Sequence, residues 1–337
     1  MGSSKGNEDK IIKKRPDTDF SSGPVKRRII AQAVPLTVAQ LVQLLYNVVD
    51  RIYIGHLDGI GDMALTGIGV AFPVIVIIAA FTSLCGSGGA ALFSIARGRH
   101  DDEEAEKLLG CAFSMLLISS ILLFAVCYPL RRPLLLLFGA SGQSIGFAES
   151  YLGVYLFGTS FSMLATGLNG YINAQGFPRT GMLTTIIGAV VNIILDPIFI
   201  FWLNLGVSGA AIATVISQGL SAAWVLRFLT GKKAAVRIKI QNMRVHPRRA
   251  LSIAAIGLPG FVMQGTNSLV GIVCNSQLQI YGGDLYVGVM TVLGSVREIL
   301  SLPVLGLSNG AQPVLGYNYG AKENTRVKEG IRFTAVL

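Results

Sequence analysis

The sequence predicts an all-α polytopic membrane protein. Of its 337 residues, 52% are hydrophobic and only 14% are charged, and the mean hydropathy is +0.59. This leaves too little polar surface for a soluble globule of this size. The apolar residues are also gathered in runs of about 20 or more, the length that a helix needs to cross about 30 Å of hydrocarbon.

Eight apolar runs in succession predict eight membrane-spanning helices. In order they are Ile29–Ile54, Ala64–Ile95, Leu108–Leu130, Ser150–Ala174, Thr180–Leu203, Val207–Leu229, Ala250–Ile280 and Leu285–Leu315. A ninth apolar run begins at Gly330, and the chain ends within it at Leu337. We therefore expect the sequence to be the front part of a longer protein.

Lys and Arg alternate from loop to loop between the predicted spans. They crowd the tail Met1–Arg28 and the segment Arg227–Arg249, whereas Gly55–Asp62 carries none. Because cytoplasmic loops collect Lys and Arg, this pattern places the N-terminus in the cytoplasm. Arg131 and Arg132 fall on the opposite side and are the one exception.

Several other classes of protein are disfavoured. The net charge of +10 does not indicate nucleic-acid binding, because the basic tail lacks interleaved aromatic residues and any recognition motif. The four cysteines lie in or beside apolar runs at unrelated spacings and predict neither a disulfide nor a metal set. Gly306–Gly310 matches the sequence pattern of a nucleophile elbow. It lies in an apolar span, without the strand and turn that this motif needs, so we do not expect an enzyme.

The sequence contains a repeat of about 220 residues. Ala33–Leu36 is echoed by Ile256–Pro259, and Gly88–Ala90 is echoed by Gly310–Ala311 in nearly the same register. Such parallel repeats are common in transporters, with the substrate site at the interface between them. We therefore predict a cytoplasmic tail, a complete six-helix lobe, a cytoplasmic linker and a partial second lobe with two helices and the start of a third, at residues 1–28, 29–230, 231–249 and 250–337.

Two aspartates lie inside predicted spans, on helix faces that carry further polar residues. Asp50 shares its face with Gln40, Gln43, Tyr46 and Asn47. An acid in hydrocarbon is costly unless it faces a partner or a watery cavity, so it indicates a functional site. At 1.5 Å of rise per residue, Asp50 lies about 30 Å from the cytoplasmic end of its helix, in the outer half of the membrane.

The second aspartate, Asp196, is predicted at a similar level, about 24 Å from the cytoplasmic end of its helix. Asn192 precedes it by one turn, and Pro197 follows it directly and removes a backbone hydrogen bond. The next span places Thr214, Ser217, Gln218 and Ser221 on one face, and the fourth places Ser162, Thr166, Asn169 and Asn173 likewise. Polar side chains can also serve only to join packed membrane helices, but that role does not need an acid.

Three strings carry a resemblance to a known family. They are Asn192–Phe199, Asn47–Asp50 with the following Gly55, and Gly316–Ala321. From Arg28 onward the chain resembles the multidrug and toxic compound extrusion (MATE) family, and its bacterial members most of all. The resemblance implies a two-lobe transporter whose lobes form a V that opens alternately to either side of the bacterial plasma membrane.

The resemblance also implies a function and a site. The expected function is a monomeric, cation-coupled antiporter that exports lipophilic cationic drugs and toxic compounds in exchange for H⁺ or Na⁺, with no cofactor. The residues expected to couple the cation are Asp50, Asp196, Asn192, Thr214 and Tyr46, with Na⁺ held at the two aspartates. Those expected at the substrate cavity are Gln43, Asn47, Thr166, Asn169, Gln218, Gln264, Asn267 and Glu298.

Two other transport functions were weighed against this one. A flippase of lipid-linked saccharides in the same superfamily would need a basic cavity for its diphosphate, whereas the polar faces here carry acids and amides. A channel is disfavoured by the two-lobe repeat. Neither alternative accounts for a pair of intramembrane acids as directly as an ion-coupled antiporter does.

Overall fold

The computed structural model describes residues 19–57 and 59–336, with the side chains of 271–272, 275–276, 279–280, 282–288, 291–292, 294–295 and 298 left undescribed. The described chain is helical throughout, without a strand. Its helices are α1 Val25–Gly55, α2 Gly61–Gly98, α3 Asp102–Leu137, α4 Ile145–Phe157, α5 Thr159–Ala174, α6 Pro178–Pro197, α7 Gly206–Thr230, α8 Pro247–Gly320 and α9 Asn324–Val336. A π-helical turn, Ile198–Trp202, follows α6, and a short 3₁₀ turn, Ile240–Asn242, lies between α7 and α8.

Six of the described helices are long and apolar enough to cross a membrane, or seven elements if α4 and α5 count as one broken span. This confirms the all-α polytopic class that the composition predicts. The predicted fourth span is not straight, because α4 and α5 meet at an angle of 58°. We call the side where α1 begins the N-terminal face and the other side the opposite face.

Helix α8 contains the predicted seventh and eighth spans and doubles back on itself. A straight helix of 74 residues would be about 110 Å long. Yet Gly88 and Gly98, ten residues apart on α2, contact Gly257 and Tyr317 at the two ends of α8. The first limb of α8 therefore runs antiparallel to α2 and the second limb runs parallel to it.

The contacts of α8 follow the sequence repeat. A Cβ placed on Gly310 would lie 2.6 Å from Ala33 Cα, and one placed on Gly88 would lie 2.3 Å from Ile253 O. In the repeat, Ala33 corresponds to Ile256 and Gly88 corresponds to Gly310. The two contacts are therefore equivalent positions in the two copies. The two copies therefore pack through matching surfaces, as the halves of an approximate two-fold arrangement do.

The segment between α7 and α8 is held against α3 and α5 at the N-terminal face. Arg249 donates two hydrogen bonds to Glu104, at 2.8 and 2.7 Å, and Lys239 forms an ion pair with Glu106 at 2.8 Å. The amide of Val236 donates to the buried side chain of Gln175 at 3.0 Å. The predicted linker is thus fixed to the helices beside it by charge pairs and by a buried hydrogen bond.

The segment that precedes α1 is held against the end of α8. Phe20 is buried, and its ring packs edge-on against Tyr317 with centroids 5.7 Å apart. The carbonyl of Phe20 accepts hydrogen bonds from Asn318, at 3.1 Å, and from Arg326, at 3.0 Å. This contact joins the segment before α1 to the end of α8 and the start of α9 at the N-terminal face.

Replacement of Phe20 should release this segment. We expect Phe20→Ala to cost about 3 kcal/mol, as large-to-small changes at buried aromatic residues do. The expected result is faster proteolysis between residues 19 and 25, measured by limited digestion and mass spectrometry of the full chain. Ile30→Ala is the control, because Ile30 is exposed and should leave the digestion rate unchanged. Equal rates in both variants and the wild type would contradict the assigned contact.

Candidate ion site and substrate cavity

Three polar side chains of α6 and α7 form a buried cluster. Asn192 and Asp196 lie one turn apart on α6, so both point to the same side of the helix, toward Thr214 of α7. The Asn192 side-chain amide donates to Asp196 Oδ1 at 3.1 Å and to Thr214 Oγ1 at 3.4 Å. The Thr214 hydroxyl donates to the Ala210 carbonyl at 2.9 Å, which leaves its oxygen facing the amide.

Asp50, near the end of α1, brings a second carboxyl group to this cluster. The carboxyl groups of Asp50 and Asp196 face each other within hydrogen-bonding range. Asp50 Oδ1, Asp196 Oδ2 and Asn192 Oδ1 are buried, and none of these oxygens has a hydrogen-bond donor among the described residues. The site therefore has three free acceptor oxygens and two carboxyl groups, which suit a shared proton or a hard cation that binds through oxygen.

The backbone next to Asp196 departs from regular α-helix. Pro197 lacks an N–H and cannot continue the ladder of hydrogen bonds, and the π-helical turn follows at once. Within this turn Leu203 N donates to Ile198 O. Such turns are rare in proteins and recur at functional sites. Here the turn lies directly above the acid pair, at the opposite face of the membrane.

Two tyrosines of α4, which the sequence did not indicate, lie next to residues of the candidate site. Tyr151 and Tyr155 are 5% exposed, with stacked rings whose centroids are 6.0 Å apart. Tyr151 lies near Asp50 and Asp196, and Tyr155 lies near Tyr46 of α1. Their spacing of four residues was a usable signal, but their direction depends on the bend at Gly158, which no pattern in the sequence indicated.

A cavity of about 620 Å³ extends from Tyr155 toward the N-terminal face. Its lining brings together the cavity residues Gln43, Asn47, Thr166, Asn169, Gln218 and Gln264, with Tyr46, Tyr155, Gln312 and hydroxyl groups between them. Gln218 Oε1 is buried without a donor. No acidic or basic side chain lines the described part of the cavity, so it offers amides, hydroxyls and aromatic rings to a ligand.

The predicted residues are thus divided between two compartments. Asp50, Asp196, Asn192 and Thr214 form the candidate ion site and do not line the cavity, whereas Tyr46 lies near Asp50 and lines the cavity. Asn267 is exposed and does not contribute to the described cavity lining. The side chain of Glu298 lies outside the described residues.

The part of the cavity near the N-terminal face is shaped by hydrogen bonds among α5, α6 and α7. Asn169 donates to the Gly181 carbonyl at 3.2 Å and accepts from the Thr184 hydroxyl at 3.4 Å. Ser221 donates to the Thr184 carbonyl at 3.0 Å. These contacts place Asn169 near the start of α6, away from Asp196 at its end, and give Asn169 a role in joining helices beside its place in the lining.

Comparison with known proteins relates this site to a family of transporters. Residues 35–198 and 249–337 match the MatE family model. The chain is 25% identical over 317 residues to the multidrug export protein MepA of Staphylococcus haemolyticus, covering 94% of this chain and 69% of the relative.

Comparison with solved structures also relates the chain to transporters. A transporter of the MOP superfamily from Pyrococcus furiosus superposes with a TM-score of 0.88 at 26% identity, over 95% of this chain and 70% of that one. An outward-facing multidrug resistance transporter of the same superfamily superposes equally well, with the same identity and coverage.

Proposed function

Because this chain belongs to the MatE family of multidrug and toxic compound extrusion transporters, we propose that it is an antiporter that exports lipophilic cationic drugs in exchange for H⁺ or Na⁺. The observation that carries the proposal is the buried pair Asp50 and Asp196, with three acceptor oxygens free of donors, beside a large polar cavity. Relatives named as multidrug export proteins support the drug efflux.

The ion is held by the acid pair. Two facing carboxylates repel each other and, once buried, favour either a shared proton or a bound cation. The free oxygens of Asp50, Asp196 and Asn192 would hold Na⁺, with Thr214 oxygen near the site. In the proton-coupled form, one proton between the two carboxyl groups satisfies both.

Coupling to the drug runs through α1. This helix carries Asp50 in the ion site and Gln43 and Tyr46 at the cavity, so a shift of α1 changes both compartments together. Pro35 interrupts its hydrogen bonds and provides a point of bending. The ion favours one arrangement of α1 and the drug the other, because a ligand shifts an equilibrium only by binding its two states unequally.

The cavity holds the drug by its apolar and hydrogen-bonding groups. Amide and hydroxyl groups surround a cation with oxygen atoms, and Tyr46 and Tyr155 present aromatic rings. The diphosphate of a lipid-linked saccharide would need cations in the lining, and the described lining has none. We place the protein in the bacterial plasma membrane as a monomer, with its N-terminal face in the cytoplasm and with transport, not an enzymatic reaction, as its activity.

The test is ethidium efflux from energised cells that express the natural protein. We expect efflux to stop when one gradient, of protons or of sodium ions, is collapsed and to continue when only the other is collapsed. Cells without the protein provide the background rate. Efflux that survives the loss of both gradients, or that never exceeds background, would overturn the proposal and favour the saccharide flippase.

A further inference from the structure

A second cavity lies at the N-terminal face, where α1 and α6 begin. It has a volume of about 490 Å³ and is lined by Gly23, Pro24, Arg27, Arg28, Ala31 and Arg179. Half of these six residues are arginines, and none is acidic. This cavity is separate from the ion site and from the drug cavity, with which it shares no lining residue.

For two of the three arginines, the described part of the chain supplies no acidic partner. Arg27 and Arg179 are exposed and form no ion pair there. Arg28 is positioned by two hydrogen bonds from its guanidinium to Ser22, at 3.3 and 3.4 Å. Acids of the same face are engaged elsewhere, as Glu104 is with Arg249.

The cavity also lies at the level of the membrane surface. Arg27 and Arg28 directly precede the apolar run of α1, and Arg179 lies in the first turn of the span formed by α6. Lipid phosphates occupy this level, and basic pockets between membrane helices bind anionic headgroups. Arginine in particular presents a planar fork of donors that matches phosphate oxygens.

We propose that this cavity binds the phosphate of an anionic phospholipid headgroup, with Arg27 and Arg179 holding it from two different helices. The bound headgroup ties the start of α1 to the start of α6. The other ends of these helices carry Asp50 and Asp196, so the lipid sets the spacing of the two helices on which the ion site is built. This inference does not depend on which drug or ion is transported.

The experiment measures lipid binding to the full chain in neutral detergent. Cardiolipin and phosphatidylglycerol are the anionic probes, phosphatidylcholine is the neutral lipid, and inorganic phosphate is the soluble probe. Binding is read by native mass spectrometry and by thermal unfolding. The test variant is Arg27→Gln with Arg179→Gln, and the matched control is Arg99→Gln with Arg248→Gln, which removes two exposed charges outside the cavity.

We expect the anionic lipids to bind and stabilise the wild type and the control, and to bind the test variant about 30-fold more weakly. Equal weakening in both double variants would mean unspecific attraction and would overturn the site. Inorganic phosphate that binds as tightly as the lipids would overturn the lipid as the source. If the glutamine variant does not fold, Arg27→Lys with Arg179→Lys replaces it, and unchanged affinity there would overturn the role of the guanidinium forks.

Discussion

Asp196→Asn is expected to abolish gradient-driven efflux while leaving the protein folded. The substitution keeps the size of the side chain and can keep the hydrogen bond with Asn192, but it removes one of the two carboxyl groups of the ion site. Loss of one charged partner of a buried charge costs about 3–5 kcal/mol, more than 100-fold in ion affinity. The ion can then no longer drive the return of the transporter, and efflux falls to background.

The measurement compares ethidium efflux with drug binding to the purified variant. Asp62→Asn is the control, because Asp62 is an exposed acid in the first turn of α2 and should not affect efflux. Drug binding should persist in Asp196→Asn, since Asp196 does not line the cavity. Efflux at the wild-type rate in Asp196→Asn would show that this carboxyl group is not needed for coupling. Loss of binding and efflux together would instead place the drug at the acid pair.

The grouping of the candidate ion-site residues could be predicted from the sequence because their spacing is mostly local. Asn192 and Asp196 lie one turn apart on the same face of one helix. Because a buried acid has few structural uses, this pattern is enough to identify both as candidate site residues. The depth of Asp50, counted along its helix, places it in the outer half of the membrane with Asp196, and Thr214 lies on the polar face of the next span. The structure brings these four residues together.

The contribution of α4 could not be predicted in the same way. Tyr151 and Tyr155 reach the site because the chain bends by 58° at Gly158. A Cβ on Gly158 would lie 2.6 Å from Val215 Cγ2, so the glycine permits a close approach to α7 that determines the bend. This is a tertiary contact between distant residues, and neither periodicity nor composition reports it.

The separation of ion site and cavity also depends on tertiary structure. In the sequence, Gln43, Tyr46 and Asp50 lie in one row on the polar face of α1. In the fold, Tyr151 of α4 lies near Asp50 at the end of this row, whereas Gln43 and Tyr46 line the cavity. Helix periodicity predicts which side of a helix is polar. Which of those polar residues belong to the ion site and which to the cavity depends on the neighbouring helix.

Gly257→Val is expected to separate α8 from α2 and to destabilise the protein by about 3 kcal/mol, the upper part of the range for overpacking. A Cβ on Gly257 would lie 2.0 Å from the Leu84 carbonyl oxygen, and backbone cannot move aside as a flexible side chain can. Cys85 of α2 is 1% exposed, carries a free thiol and faces Ser119 of α3, so it becomes accessible only when the helix bundle opens. Its rate of alkylation should therefore rise as the destabilised protein opens more often.

Gly265→Val provides the matched control for this prediction, because no atom lies within 4 Å of a Cβ at Gly265 on the same limb of α8. It should leave both the unfolding midpoint and the alkylation of Cys85 unchanged. Because the contact at Gly257 is repeated on the other side of the approximate two-fold, by Gly310 against Ala33, two such close approaches join the repeats. If Gly257→Val and Gly265→Val unfold and react alike, the close packing of α2 on α8 does not stabilise the protein.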